Sequence, residues 1–343
     1  MTLSQQSNIS IIIPVYNGGE AFHSCLVHAF ALNPSPLEII VVADGDTDGS
    51  RDLAHAFGAK VFINPISKGP AHARNIGAQN AHGDMLFFVD ADVALPENAL
   101  NYINQAFQTE AELAALIGSY DDAPAEQNFL SQYKNLFHHY VHQTSCEQAS
   151  TFWGACGAIR RDIFFESGGF DEQYRHPSIE DIELGYRLTG AGYRIKLVKA
   201  LQVKHLKRWN ASSLIKTDFL QRAIPWTFLI LRDGKFANDL NLKMENRVSV
   251  ILVYSLLLAL PLAWQWSFFS IFIAFLAGGL LVINISVYRF FLDKRGFLFT
   301  LQMMPWHWFY YFYSGLAFAT VLAYSKCIIS FEKMGLGTEL VSR

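Results

Sequence analysis

The sequence predicts an α/β fold: a doubly wound, mostly parallel sheet of the nucleotide-binding type, followed by interfacial helices and a C-terminal transmembrane helical segment. Three observations carry this expectation. Short β-branched runs alternate with helical spacings and short links up to about residue 210, the pattern of successive strand–helix–strand units. Charge is split along the chain: residues 1–198 carry −12, residues 199–247 carry +6 and residues 248–343 carry +3, for a net of −3. An acidic body joined to a basic collar points to an anionic membrane surface and away from nucleic acid. Finally, the 41 residues from Val248 to Tyr288 contain no Asp, Glu, Lys, Arg or His. As helix they would run roughly 60 Å, about two hydrocarbon thicknesses.

The elements follow in order. Ile9-Ser10-Ile11-Ile12-Ile13 is a β-branched run stopped by Pro14, hence a strand. Asn17-Gly18-Gly19 turns the chain, and Ala21 to Leu32 has helical spacing. Leu37 to Val42 is the next strand; the turn from Asp44 to Gly49 caps a helix that runs to Phe57. Lys60 to Ile63 reads as a strand, Pro70 to Asn80 as a helix, Met85 to Val89 as a buried strand and Glu97 to Phe107 as a helix. No G-x-G-x-x-G follows the first strand, which disfavours a dinucleotide cofactor. The expected domains are 1–210 as the catalytic body, 211–246 as amphipathic interfacial helices and 247–343 as a membrane region. Three spans are expected there, near 248–264, 268–289 and 306–327. Basic residues flank both ends of the first hairpin (Arg247, then Arg289, Lys294 and Arg295), so those flanks and the catalytic body belong on the cytoplasmic side of a multi-pass inner-membrane protein. Met1 to Ser10 lacks the basic start of a signal peptide. The four cysteines show no metal or disulfide spacing, which suits a reducing compartment.

Met85-Leu86-Phe87-Phe88-Val89-Asp90-Ala91-Asp92 is the most informative stretch. Its two carboxylates stand at the carboxyl edge of a buried strand, where open α/β sheets bind ligands. Apolar walls make that pair costly unless a cation neutralises it. Mn2+ or Mg2+ carrying the phosphates of a nucleotide is the natural candidate. Glu180-Asp181 forms a second carboxylate pair, and Ile182, Leu184 and Leu188 after it give helical spacing, so the pair sits at a helix N-terminus. Phe152-Trp153-Gly154 joins an aromatic pair to a small-residue run; Trp153 can stack on a sugar and Gly154 can let backbone approach one, although tight core packing explains both. Lys68 and Arg74 lie before and within the helix that opens towards the strand ends, where an Arg fork suits phosphate or ribose. His138, His139 and His142 read as surface. In the basic collar, the segment containing Arg222 and Trp226 carries an apolar face, as an interfacial helix pair holding an acceptor would.

Taken together, these motifs resemble the inverting family-two glycosyltransferases with the glycosyltransferase A fold. Pro14-Val15-Tyr16-Asn17, the Asp44 turn, Ala73-Arg74-Asn75-x-Gly77, Asp90-x-Asp92, Gly168-Gly169-Phe170-Asp171-Glu172 and Glu180-Asp181-x-Glu183-Leu184 recur in that order over about residues 8–210. Two positions depart: Ala43 stands where many members have Asp, and Asp46 where they usually have Ser. The resemblance implies that Pro14, Tyr16, Asn17 and Asp44 hold the nucleotide, with Lys68, Arg74 and Asp90 on its phosphate and ribose side. It implies Asp92, with Asp90 and His205, as the metal site, and Asp181 as general base beside Glu180. The implied activity is that of a metal-dependent hexosyltransferase, moving sugar from a UDP- or GDP-linked donor to a lipid or polyprenyl-linked acceptor. A processive polysaccharide synthase and a non-catalytic membrane scaffold are the alternatives.

Overall fold

A computed structural model of the chain describes residues 8–234 and 242–333, the last six of them as backbone. The expected segments 1–210, 211–246 and 247–343 therefore each extend partly outside the described residues. Two compact units make up the chain, Met1–Ala211 and Ser212–Arg343.

In the first unit, β1 (Ile9–Val15), α1 (Gly19–Phe30), β2 (Glu38–Asp44), α2 (Ser50–Phe57), β3 (Lys60–Asn64), α3 (Pro70–Gln79) and β4 (Met85–Val89) alternate as expected. Then come β5 (Val93–Ala94), α4 (Ala99–Thr109), β6 (Leu113–Tyr120), α5 (Phe129–Thr144), β7 (Gln148–Ala149), β8 (Cys156–Arg160), α6 (Arg161–Glu166), α7 (Glu180–Gly190) and β9 (Arg194–His205). The sheet runs β3-β2-β1-β4-β8-β6-β9, with β5 and β7 both on β9. β1, β2, β3 and β4 are mutually parallel, and β8 lies antiparallel between β4 and β6. Ile11, Ile12, Ile13, Ile40, Val41, Val42, Phe87 and Phe88 are wholly buried. A strand covered on both faces needs such continuous apolar runs, which is why β1, β2 and β4 are legible from residue type alone, whereas β3 lies at the sheet's edge with no buried residue.

Buried charge in this unit is tied down locally. Glu38, 8% exposed, takes hydrogen bonds from Ser10 Oγ (2.6 Å) and His82 N (2.6 Å), and its other oxygen pairs with Lys60 Nζ at 2.6 Å. Burial works against its ionisation, but Lys60, Ser10 and His82 outweigh it and hold the carboxyl at about 2. His142 on α5 is pushed the other way: burial lowers it to about 4, against the Gly118 carbonyl that its Nδ1 meets at 3.2 Å. Both shifts give the unfolded chain more protons than the folded one in acid, so stability falls as pH falls. His142 contributes fully above about pH 6.5 and loses its part as pH drops through about 4. Glu38 contributes above about 4.5 and loses its part towards about 2. We expect the thermal midpoint, followed by circular dichroism, to decline from pH 6.5 downwards and to steepen below 4.5. Glu38→Gln should remove the steeper limb, worth about 2 kcal/mol, and leave the upper one.

The second unit is helical: α8 (Ala211–Ile215), a π-helical stretch from Lys216 to Ala223, α9 (Ile224–Asp233), α10 (Met244–Gln265), α11 (Phe268–Ile283), α12 (Ile285–Arg295) and α13 (Phe297–Lys333). Two expectations need correction. The expected pair of interfacial helices is one helical run from Ala211 to Asp233, wound more loosely through its middle. The three expected spans reduce to one helix, α10, that is long and apolar enough to cross a membrane among the described residues; α11 with α12 makes a second only if the two form one span. The chain bends by 64° between them. Asn284 sits at that break: its Nδ2 donates to Ser249 Oγ (3.0 Å) and to the Leu280 carbonyl (2.9 Å), and its Oδ1 accepts from Tyr311 Oη at 2.6 Å. α13 has the length, 37 residues, but its first half carries Gln302, Pro305, His307, Tyr310, Tyr311 and Tyr313. A multi-pass arrangement is thus not supported.

Candidate active site

Three turns meet at the carboxyl edge of the sheet. Asn17, in the left-handed region at φ 51°, accepts the Thr47 N–H on Oδ1 at 2.8 Å. Gly19 N donates to Asp48 Oδ2 (3.0 Å) and Gly18 N to Ser50 Oγ (3.1 Å), so the β1–α1 turn is laced to the β2–α2 turn. The Ser50 hydroxyl and the Gly19 and Ser50 N–H groups, all donating to Asp48, overcome its burial and lower its pKa. Tyr16 stands out from this lattice, 62% exposed, with Pro14 half-buried beneath it in β1 and Lys68 exposed. Asp44 behaves otherwise than expected. Only 4% exposed, its carboxylate already accepts from Asn64 Nδ2 (2.9 Å), Ser67 Oγ (2.8 Å), Lys68 N (3.1 Å) and Gly69 N (2.9 Å). Two oxygens offer about four lone-pair sites, so Asp44 clamps the β3–α3 loop and has no place left for a base N–H.

Arg74 also differs from its expected role. Its side chain is 5% exposed, and it donates to Asp90 Oδ1 at 2.7 Å and to Glu180 Oε1 at 2.8 Å. Burial disfavours its charge, but Asp90 and Glu180 raise its pKa above the ordinary value. It is a strut between the end of β4 and the start of α7, rather than a fork waiting for phosphate. Asp90 gives one oxygen, Oδ1, to this strut, and its side chain remains 35% exposed.

Asp92 and His205 do come together. Val93 of β5 pairs in register with His205 at the end of β9, and Leu206 N donates to the Asp92 carbonyl at 2.8 Å. That register sets His205 Nε2 3.5 Å from Asp92 Oδ2. Burial disfavours ionisation of Asp92, yet the nearby His205 and Lys207 hold its carboxyl below the usual range. The His205 ring stacks on Tyr120 (centroids 4.4 Å apart, planes at 13°), and its Nδ1 lies 2.7 Å from Asn135 Oδ1. One carboxylate and one imidazole fit Mn2+ or Mg2+ as a two-ligand half-site. No cluster of three or more His, Cys, Asp or Glu able to hold a metal forms among the described residues. Phosphate oxygens and water would therefore complete the shell.

The Glu180–Asp181 pair divides. Glu180, 4% exposed, is held by Arg74 and by Ser178 N at 3.0 Å. Asp181 is half-buried, and its Oδ2 accepts the Gly154 N–H at 3.0 Å. The Thr151–Gly154 segment reaches α7 because Gly185 has no side chain: a Cβ there would lie 2.1 Å from Phe152 N. A Cβ on Gly154 would lie 3.0 Å from Arg74 Cζ, so the strut, not a sugar, explains that glycine. Trp153 is likewise a core residue, 8% exposed and packed against Tyr120, His138 and His142 at 4.8, 5.2 and 5.2 Å. His139 and His142 are buried with it, correcting their reading as surface.

Residues 10–167 match the profile of Glycosyl transferase family 2. The chain carries a family 2 glycosyltransferase domain. It is 26% identical over 220 residues to a probable glycosyltransferase of Bacillus subtilis, spanning 58% of this chain and 50% of that relative. It is 25% identical over 205 residues to poly-beta-1,6-N-acetyl-D-glucosamine synthase of Staphylococcus aureus, spanning 57% and 49%. The chain thus covers about half the length of these curated relatives. Among solved structures, a mannosyltransferase of Pyrobaculum calidifontis in complex with GDP-Man and Mn2+ shares the fold, with a TM-score of 0.58 over 92% of this chain and 88% of that one, at 16% identity.

In this glycosyltransferase domain the sequence did not single out Asn135 or the Arg74–Glu180 strut. A signal for Asn135 exists: Ser131, Asn135, His139 and His142 recur at helical spacing, and all four are buried on α5. Polar residues on a core-facing stripe need partners, and here they have the sheet's edge. Arg222 and Trp226 belong to the second unit, on the π-helical stretch and on α9, so their acceptor role stays a proposal.

Proposed function

We propose that the chain is an inverting, metal-assisted glycosyltransferase. It would move a hexose from a UDP- or GDP-linked donor to a lipid or polyprenyl-linked acceptor at the cytoplasmic face of a membrane, with α10 as a span. The observation that carries this is the division of labour among the carboxylates: Asp92 faces His205, Glu180 is locked, and Asp181 alone of its pair remains half-open. Asp181 takes the proton of the acceptor hydroxyl as that oxygen attacks the anomeric carbon opposite the nucleotide. The Gly154 N–H fixes the carboxylate's direction. Tyr16 offers a ring face to the base, and Asn17 orders the turn that presents it. A divalent ion bound at Asp92 and His205 would neutralise the diphosphate leaving group. The complex of the Pyrobaculum mannosyltransferase with GDP-Man and Mn2+ supports this reading.

The test is transfer by the purified chain in bilayers containing a polyprenyl-linked sugar, whose free hydroxyl is the acceptor, across a panel of labelled UDP- and GDP-sugars with and without Mn2+. We expect label in the organic phase, metal dependence, and a product whose anomeric configuration is opposite to the donor's. Retained configuration, or label that never enters lipid, defeats the proposal. The similarity to the Staphylococcus aureus synthase supports a second reading, processive polymerisation. A ladder of products on a gel would favour it over a single transfer.

A further inference from the structure

His205 has two ring nitrogens with different neighbours. Nδ1 faces Asn135 Oδ1 at 2.7 Å, and Nε2 faces Asp92 Oδ2 at 3.5 Å. A carboxamide oxygen only accepts, so it requires a proton on Nδ1; Nε2 then faces Asp92 as a donor in the imidazolium, and in the neutral ring with the lone pair that an ion would take. The Nε2–Oδ2 separation lies beyond an ordinary hydrogen bond. A divalent ion that displaces the Nε2 proton can be shared by Nε2 and Oδ2. Asn135 itself is 1% exposed, and its Nδ2 finds no acceptor. A buried amide with an idle donor is a poor structural choice; what it supplies here is the oxygen.

We propose that Asn135 is a positioning residue for donor-metal binding: its carboxamide oxygen holds His205 in the Nδ1–H tautomer and so frees Nε2 for the ion. Tyr120, stacked on the ring, fixes its plane while Asn135 fixes its proton. The inference rests on the metal-assisted reading above, but it concerns α5, from which the sequence analysis drew no part of the site.

The experiment uses the full chain in detergent, 15N-labelled at histidine, as wild type, Asn135→Asp, Asn135→Leu and His205→Gln, the last to assign the signal. The His205 tautomer is read by 15N NMR without metal, and Mn2+ affinity by electron paramagnetic resonance. We expect the Nδ1–H form in wild type, a 10–100-fold loss of Mn2+ affinity in Asn135→Leu, and recovery to within a few-fold in Asn135→Asp, which keeps an acceptor for Nδ1–H. An Nε2–H form in wild type overturns the proposal. So does wild-type Mn2+ affinity in Asn135→Leu, or equal weakening in Asn135→Asp, which also decides the matter if the leucine variant does not fold. A wild type that binds no Mn2+ yet shows the Nδ1–H form refutes the metal-assisted function and leaves the tautomer assignment standing.

Discussion

Asp181→Asn should lower sugar transfer by about 10²–10⁴-fold and leave donor binding within a few-fold of wild type. The amide oxygen of Asn can still accept the Gly154 N–H that Asp181 Oδ2 accepts at 3.0 Å and so keep the Thr151–Gly154 segment in place, while the Ile182 N–H at the start of α7 gives up its 2.8 Å contact with Oδ1. What is lost is the basic oxygen. Acceptor analogues should therefore bind as before, and the loss should fall on kcat rather than KM. The measurement pairs initial rates with calorimetric titration of the nucleotide. Equal loss of nucleotide affinity would mean that Asp181 serves the donor, and the base would have to be sought elsewhere.

The contrast with Glu180 shows what the sequence could and could not convey. Both acids follow Ser178-Ile179 at a helix start, and spacing alone cannot tell them apart. Their roles diverge because Arg74, 106 residues earlier in the chain, reaches Glu180 at 2.8 Å. The parallel strands β1, β2 and β4 were legible because continuous burial forces β-branched and aromatic runs. So was the meeting of Asp92 with a late histidine, since both lie at strand ends. By contrast β8 is as long as β4, but its Cys-Gly-Ala-Ile-Arg run lacks β-branched and aromatic density, and it takes its ladder partners from β4 and β6 on either side. Asp44 illustrates the same limit. An acid in a polar turn reads as a ligand for a base, but Asn64, Ser67, Lys68 and Gly69 had already taken its oxygens. In the C-terminal helical region, a count of uncharged residues shows one apolar span in α10 but does not see the 64° bend at Asn284, whose side chain hydrogen-bonds Ser249 and Tyr311.

Arg74→Met should be the most destabilising single change in the site. It leaves Asp90 and Glu180 without their shared cation, and breaking a buried pair from one side costs about 3–5 kcal/mol. The guanidinium also lies 5.4 Å from the Phe170 ring centroid, so its plane packs as well as pairs. For a domain of this size the thermal midpoint should fall by roughly 10 °C. Arg74→Lys keeps a charge but offers one point where two carboxylates need a fork, so it should recover only part of the loss. Arg74→Met with Glu180→Leu removes both partners of the more buried pair and should regain stability relative to Arg74→Met alone, because an unpaired buried acid is worse than an apolar pair. Transfer should not return with it. Asp90 then stands without its anchor, and Asp181 sits on a helix start no longer tied to the end of β4. A double variant that regained both stability and transfer would reduce Arg74 to a packing element; regained stability without transfer would make the strut part of how the glycosyltransferase domain holds its reacting edge.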